Sequence, residues 1–208
     1  MRNLTSTTHS VVVQEAAAAL KKGGVVLYPT DTLYGLGADA FSNTAVDKIY
    51  AVKERKDDKP IHAIVSDLGM AGKYGYIDDR IRKIATELPM GKITFIVKKR
   101  VGVTGGIMRG MKTFGFRIPD NRFCQDMIRV FGKPITATSA NASGYPPQNS
   151  IGPIFIQIGK NAGLIDVAVN AGELPESKPS TVIDCTGKEL KILREGVVSS
   201  GTIQDALL

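Results

Sequence analysis

Gly24-Val25-Val26-Leu27-Tyr28-Pro29-Thr30-Asp31-Thr32-Leu33-Tyr34-Gly35-Leu36-Gly37-Ala38-Asp39-Ala40 is the stretch on which the fold turns. Residues 25–28 are a short apolar run of the kind that forms a buried strand. That strand empties into hydroxyls, a carboxylate and two closely spaced glycines. Hydroxyls donate and accept, and glycine lets a ligand approach the backbone. The segment reads as a strand end built to hold something polar; a plain tight turn is the competing reading. Gly35-Leu36-Gly37-Ala38-Asp39-Ala40 also fits the permissive dinucleotide fingerprint, but that motif needs its first glycine at a strand-to-helix turn. Here residues 29–34 intervene, which argues against a Rossmann site.

Working outward, residues 11–22 are Ala-rich and run into Gly23-Gly24, a helix with a glycine stop. Asn43-Thr44 offers a cap for a helix to Val52, with Ala45, Ile49 and Val52 on one face. Amphipathic helices are expected over 78–88 and 121–131, and short strands over 61–65, 93–97, 114–118 and 134–137. Further strands follow at 167–169, 181–184 and 191–193, and Thr202 offers a cap for a last helical turn. Strands alternate with helices and then cluster, which is the pattern of an α/β domain with a mixed sheet. Residues 170–179, rich in Gly, Pro, Glu and Ser, read as a mobile loop or lid.

The chain has 208 residues, 43% of them apolar, enough for one domain with a real core. We expect residues 1–208 to form a single domain. Lys plus Arg outnumber Asp plus Glu by 27 to 20, giving +7 and a pI near 9.4. That balance favours polyanionic partners such as nucleotides or RNA. Cys124 and Cys185 lie far apart, so a disulfide framework is not expected and a reducing compartment is the simpler setting. His9 and His62 are likewise isolated, and no zinc-ligand spacing emerges. No apolar run approaches a membrane span and the N-terminus lacks a long apolar core. A cytoplasmic protein without a membrane partner is expected.

Three further clusters carry chemistry. In Lys53-Glu54-Arg55-Lys56-Asp57-Asp58-Lys59-Pro60, an extended backbone would put Lys53 and Arg55 on one face. A guanidinium beside an ammonium suits a polyphosphate, whereas a charged helix end is the plainer alternative. In Thr136-Ala137-Thr138-Ser139-Ala140-Asn141-Ala142-Ser143-Gly144, small hydroxyls and an amide sit at a strand end. There is no Gly-x-Ser-x-Gly elbow and no histidine partner, so Ser139 is not read as a nucleophile. Arg117 and Arg194 close two strands, where α/β sheets usually bind ligands, though either also fits a surface ion pair. Residues 105–113 imitate a P-loop, but Met111 puts Lys112 out of register.

Together these blocks resemble the YrdC-like family of threonylcarbamoyl-AMP synthases. The resemblance rests on Pro29-Thr30-Asp31-Thr32-Leu33-Tyr34-Gly35-Leu36-Gly37-Ala38, Lys53-x-Arg55 with Lys59-Pro60, and Arg117-Ile118-Pro119. It also rests on Thr138-Ser139-x-Asn141-x-Ser143-Gly144, Pro179-Ser180-Thr181-Val182-Ile183-Asp184 and Leu193-Arg194. It implies a single-domain α/β fold, a twisted mixed sheet with flanking helices and a concave basic face. It implies that L-threonine, bicarbonate (or carbon dioxide) and ATP, with Mg2+, give threonylcarbamoyl-AMP and pyrophosphate. A separate transferase would then pass the threonylcarbamoyl group to tRNA. Lys53 and Arg55 would be catalytic, and Thr32, Ser139 and Ser180 would hold threonine. Arg55, Lys59, Arg117, Asn141, Asn149 and Arg194 would contact ATP, and no residue is assigned to metal. Some relatives carry glutamate where this chain has Asp31, one methylene longer. A related branch keeps the fold with poor support as a synthase; the intact Lys53-x-Arg55 and Ser139-x-Asn141 place this chain with the active branch. The alternative in another class is a non-catalytic protein binding tRNA or double-stranded RNA, for which the aromatic content of 6% without tryptophan supplies few stacking platforms. A sugar-phosphate lyase on the same fold would need a carboxylate pair, and none stands out.

Overall fold

The computed structural model describes residues 1–55 and 60–207. Its first half runs β1 (Arg2–Asn3), α1 (His9–Lys21), β2 (Val26–Pro29), β3 (Tyr34–Gly37), α2 (Asn43–Lys53), β4 (His62–Ile64), α3 (Leu68–Gly72), α4 (Asp79–Glu87) and β5 (Ile93–Lys98). The second half runs β6 (Thr113–Arg117), α5 (Arg122–Phe131), β7 (Ile135–Ser139), α6 (Ile151–Ile158), β8 (Val167–Asn170), β9 (Thr181–Asp184), β10 (Lys191–Arg194) and α7 (Ser200–Asp205). The described strands form one sheet in the order β1-β8-β2-β3-β7-β4-β6-β5-β9-β10. Pairing is parallel at β1/β8, β8/β2, β4/β6 and β5/β9 and antiparallel elsewhere. The expected mixed α/β architecture is therefore present. None of the described helices is long and apolar enough to cross a membrane.

The opening stretch differs from its sequence reading at the glycines. They belong to β3, which turns back antiparallel on β2 with Tyr28 opposite Gly35. A Cβ on Gly35 would meet the Tyr28 ring at 3.0 Å, and one on Gly37 would meet Tyr28 and Ile135 at 2.8 Å. The small residues thus make room for an aromatic side chain lying across the sheet, and the Tyr28 hydroxyl donates to the Thr136 carbonyl at 3.1 Å. Two caps also move. Ser42, not Asn43 or Thr44, caps α2, its hydroxyl accepting from the Ala45 amide. Ser199 caps α7 by accepting from the Thr202 amide, so Thr202 is the capped residue. Helix α6 is hidden from periodicity because Gly152 and Pro153 read as breakers. Both fall in its first turn, where amides have no intrahelical partner and proline is tolerated.

Two apolar layers sandwich the sheet. On one face α1 and α5 pack together, with Leu20, Phe123 and Met127 over Val26, Ile64 and Ile135. On the other, Ile49, Ile84 and Ile154 pack against Leu36, Ala63 and Phe116. Register then locates the site. Tyr28, Gly35 and Ser139 lie abreast, as do Ala137 and His62, and Thr94 and Arg117. Alternation puts all of them on the face that carries α1 and α5. Away from those helices this row floors an open cavity.

Candidate functional site

The cavity has a volume of about 580 Å³. Among the described residues that line it are the guanidinium groups of Arg55, Arg117 and Arg194 and no carboxylate. An open cavity lined by three guanidinium groups attracts a polyanion.

Each arginine is aimed by the local backbone. Arg55 follows α2 after Glu54, which adopts a left-handed φ of 49° and redirects the chain. Its guanidinium donates to the Pro60 carbonyl at 3.0 Å and to Thr138 Oγ1 at 3.3 Å. Arg117, at the end of β6, is buried. Its Nη1 donates to the Gly91 carbonyl at 2.9 Å and pairs with Asp31 at 3.2 Å. Among the described residues Nε and Nη2 of Arg117 have no hydrogen-bond partner, so its remaining donors serve the cavity. Asp31 sits behind it and also lies 3.6 Å from Lys92, which makes it a brace for Arg117. Arg194 ends β10 and donates to the Ser180 carbonyl at 2.9 Å. Burial lowers its pKa.

Hydroxyls line the cavity beside the arginines. Thr30 Oγ1 accepts from the amides of Thr32 and Leu33 and holds the turn between β2 and β3. Thr32 Oγ1 stands 3.0 Å from Thr30 Oγ1. Ser180 Oγ lies 2.8 Å from Thr94 Oγ1, across the parallel β5/β9 pair. Ser139 sits at the end of β7, its hydroxyl bonded to Asn141 Oδ1. The connector between β8 and β9 supplies Ser177 and Pro179, and Ser177 Oγ donates to the Thr32 carbonyl at 2.9 Å.

The structure thus brings Thr32, Arg55, Arg117, Ser139, Ser180 and Arg194 together, and leaves other expected residues out. Lys53 does not share a face with Arg55, because Lys53 is still helical and Glu54 turns the chain between them. Its ammonium is buried behind the wall, donating to the carbonyls of Ser139 and Asn141 and to Asn141 Oδ1. Burial and the nearby Arg55 charge pull its pKa down to about 7. Asn141 is also a brace: its amide nitrogen donates to the carbonyls of Ala142 and Tyr145, at 3.0 and 2.6 Å. Asn149 lies in an adjoining cavity of about 570 Å³ that meets the first at Leu33, Pro147 and Ser177. There it donates to Glu173 at 2.9 Å. Lys59 lies outside the described residues. Those residues contain no cluster of three or more His, Cys, Asp or Glu side chains.

One lining residue escaped the sequence reading. His62, isolated in the sequence, stands on the cavity floor. Its signal was a polar residue inside the apolar run Ile61-His62-Ala63-Ile64. Burial, with Arg194 and Arg55 nearby, pushes its pKa from 6.5 down to about 4. Below pH 6.5 the unfolded chain binds a proton that the folded chain refuses until about pH 4. Stability is therefore expected to fall as pH drops through that window, and His62→Gln to lack that component. Urea unfolding at several pH values checks it.

A family model for Sua5, YciO and YrdC, described as telomere recombination, matches residues 18–196. The chain is 30% identical over 201 residues to the threonylcarbamoyl-AMP synthase of Bacillus subtilis, covering 95% of this chain and 57% of that one. It superposes on the Pyrococcus abyssi Sua5 crystal structure complexed with L-threonine, with a TM-score of 0.85 at 28% identity. That match covers 94% of this chain and 57% of that one. It superposes on Escherichia coli YciO with a TM-score of 0.83 at 25% identity, covering 97% of each. The chain thus spans a little over half the length of the first two and nearly all of the third.

Proposed function

This chain belongs to the Sua5/YciO/YrdC family, and on that premise we propose that it makes threonylcarbamoyl-AMP from L-threonine, bicarbonate and ATP. The observation that carries the reading is the convergence of Arg55, Arg117 and Arg194 with Thr32, Ser139 and Ser180 around one cavity lined by no described carboxylate. The names of the B. subtilis relative and of the threonine-bound Sua5 support it.

Threonine's amine and carbon dioxide, supplied by bicarbonate, give a carbamate. One carbamate oxygen attacks the α-phosphorus of ATP, a P–O bond forms there, and the bond to the leaving pyrophosphate breaks. The nucleophile is already an anion, so no histidine or cysteine is needed to create one. The obstacle is bringing two anions together in line, which positioning and charge neutralisation overcome. Thr32, Ser139 and Ser180 hold threonine. Arg55 and Arg194, joined by Lys59, take phosphates, and Arg117, aimed by Asp31, takes nucleotide or the threonine carboxylate. Asn149 contacts the nucleotide from the adjoining cavity. Lys53 and Asn141 act at one remove, by holding the end of β7. Magnesium would enter with ATP and neutralise phosphate charge. The product would pass to a separate transferase that modifies tRNA.

Calorimetric titration of ATP with and without L-threonine tests the shared cavity. Tighter ATP binding in the presence of threonine is expected. Affinity indifferent to threonine, together with salt-sensitive RNA binding and no ATP consumption, would favour the RNA-binding alternative.

A further inference from the structure

We propose that His62 reads the arrival of polyphosphate: it takes up a proton as the anion settles between Arg55 and Arg194, and donates a hydrogen bond to it. This rests on the reading that the cavity seats a triphosphate. It adds a residue and a proton to that site.

His9, the other histidine of the chain, donates to or accepts from Asp126 at 2.9 Å. Among the described residues neither ring nitrogen of His62 has a hydrogen-bond partner. Neither nitrogen is a fully buried atom lacking a partner, so both reach the cavity, where a water or a ligand oxygen can serve as partner. Its ring lines the cavity, so an incoming ligand is that partner.

The sheet makes room for the ring. On the β6 side the neighbour is Gly115, and a Cβ there would stand 2.5 Å from His62 Cδ2. On the β7 side Ala137 lies directly opposite. Neither neighbour titrates. Among the described residues the charged groups facing His62 are Arg194 from β10 and Arg55 from beyond α2, with Arg117 also lining the cavity and no carboxylate in the lining. With the cavity empty, those cations and burial disfavour protonation, in keeping with a pKa lowered to about 4. A polyphosphate reverses both influences. It neutralises the arginines and places oxygen anions within reach of the ring. An opposite charge at contact distance raises a histidine's titration midpoint by about 1–3 pH units.

The consequence is proton-linked binding. Affinity for polyphosphate should rise as pH falls between the bound and free midpoints, by up to about tenfold per pH unit. Departure of pyrophosphate would return the proton to water.

The test uses the full chain and two probes, pyrophosphate and ATP, titrated calorimetrically from pH 5 to 7 in buffers of contrasting ionisation enthalpy. Native protein should take up more protons per ligand than His62→Gln, the subtraction removing the ligand's own protonation. Its affinity advantage over the variant should grow as pH falls. Ring NMR of the native chain supplies a readout independent of how the variant folds. With two histidines in the sequence, the His62 signal is separable, and its midpoint should move up on pyrophosphate binding. If both probes bind while His62 stays neutral and proton uptake is equal, this inference is overturned and the nucleotide reading stands. If neither probe binds, both fall.

Discussion

Replacing Arg55 with alanine should lower threonine-dependent pyrophosphate formation by about 30-fold to about 5,000-fold, which corresponds to a loss of about 2–5 kcal/mol. The size follows from the surroundings. Arg55 is aimed by the Pro60 carbonyl and by Thr138, and it lines the same cavity as Arg117 and Arg194. Removing it leaves a buried phosphate short of a charge-assisted partner. Arg55→Lys should recover part of the rate, because an ammonium restores charge without the planar fork. The loss should fall on turnover and ATP affinity, with thermal unfolding changed far less. Steady-state pyrophosphate assays alongside melting curves check both, and unchanged turnover would refute the role given to Arg55.

Lys53→Met should behave in the opposite way, as a large stability defect. The side chain reaches from the last turn of α2 to the end of β7, and its three ammonium donors match three acceptors. Ser139 O still accepts from the Asn141 amide and Asn141 Oδ1 from Ser139 Oγ, but Asn141 O would lose the one donor described for it. The expected cost is about 2–4 kcal/mol. For a chain of this size that is a fall in melting temperature of roughly 5–15 °C. Activity should decline because Ser139 loses its footing, with residual protein still binding pyrophosphate through the arginines. Wild-type stability with abolished pyrophosphate binding would instead restore Lys53 to the phosphate site.

The contrast between these two residues shows how much the sequence disclosed. Both were visible as cations two apart, and both belong to the site region. Their opposite orientations depend on where α2 stops and on the left-handed backbone of Glu54, neither of which a charge pattern reveals. The alternation of strands and helices was legible because apolar periodicity reports burial directly. β3 was not, since Gly35 and Gly37 sit in a strand for the sake of Tyr28, a neighbour identified only by register. Arg117 was legible as a strand-end arginine, while Asp31 as its brace required the fold. His62 was missed because an isolated histidine has no local spacing to betray it. Its significance comes from strands that pair across the sheet.

The most direct measurement is pyrophosphate release by the purified chain given ATP, with L-threonine and bicarbonate omitted one at a time, and the nucleotide products identified by mass. The account predicts release only when both are present, one pyrophosphate for each threonylcarbamoyl-AMP formed. ATP turnover that proceeds equally without threonine, or complete mixtures that yield no such adenylate, would contradict it.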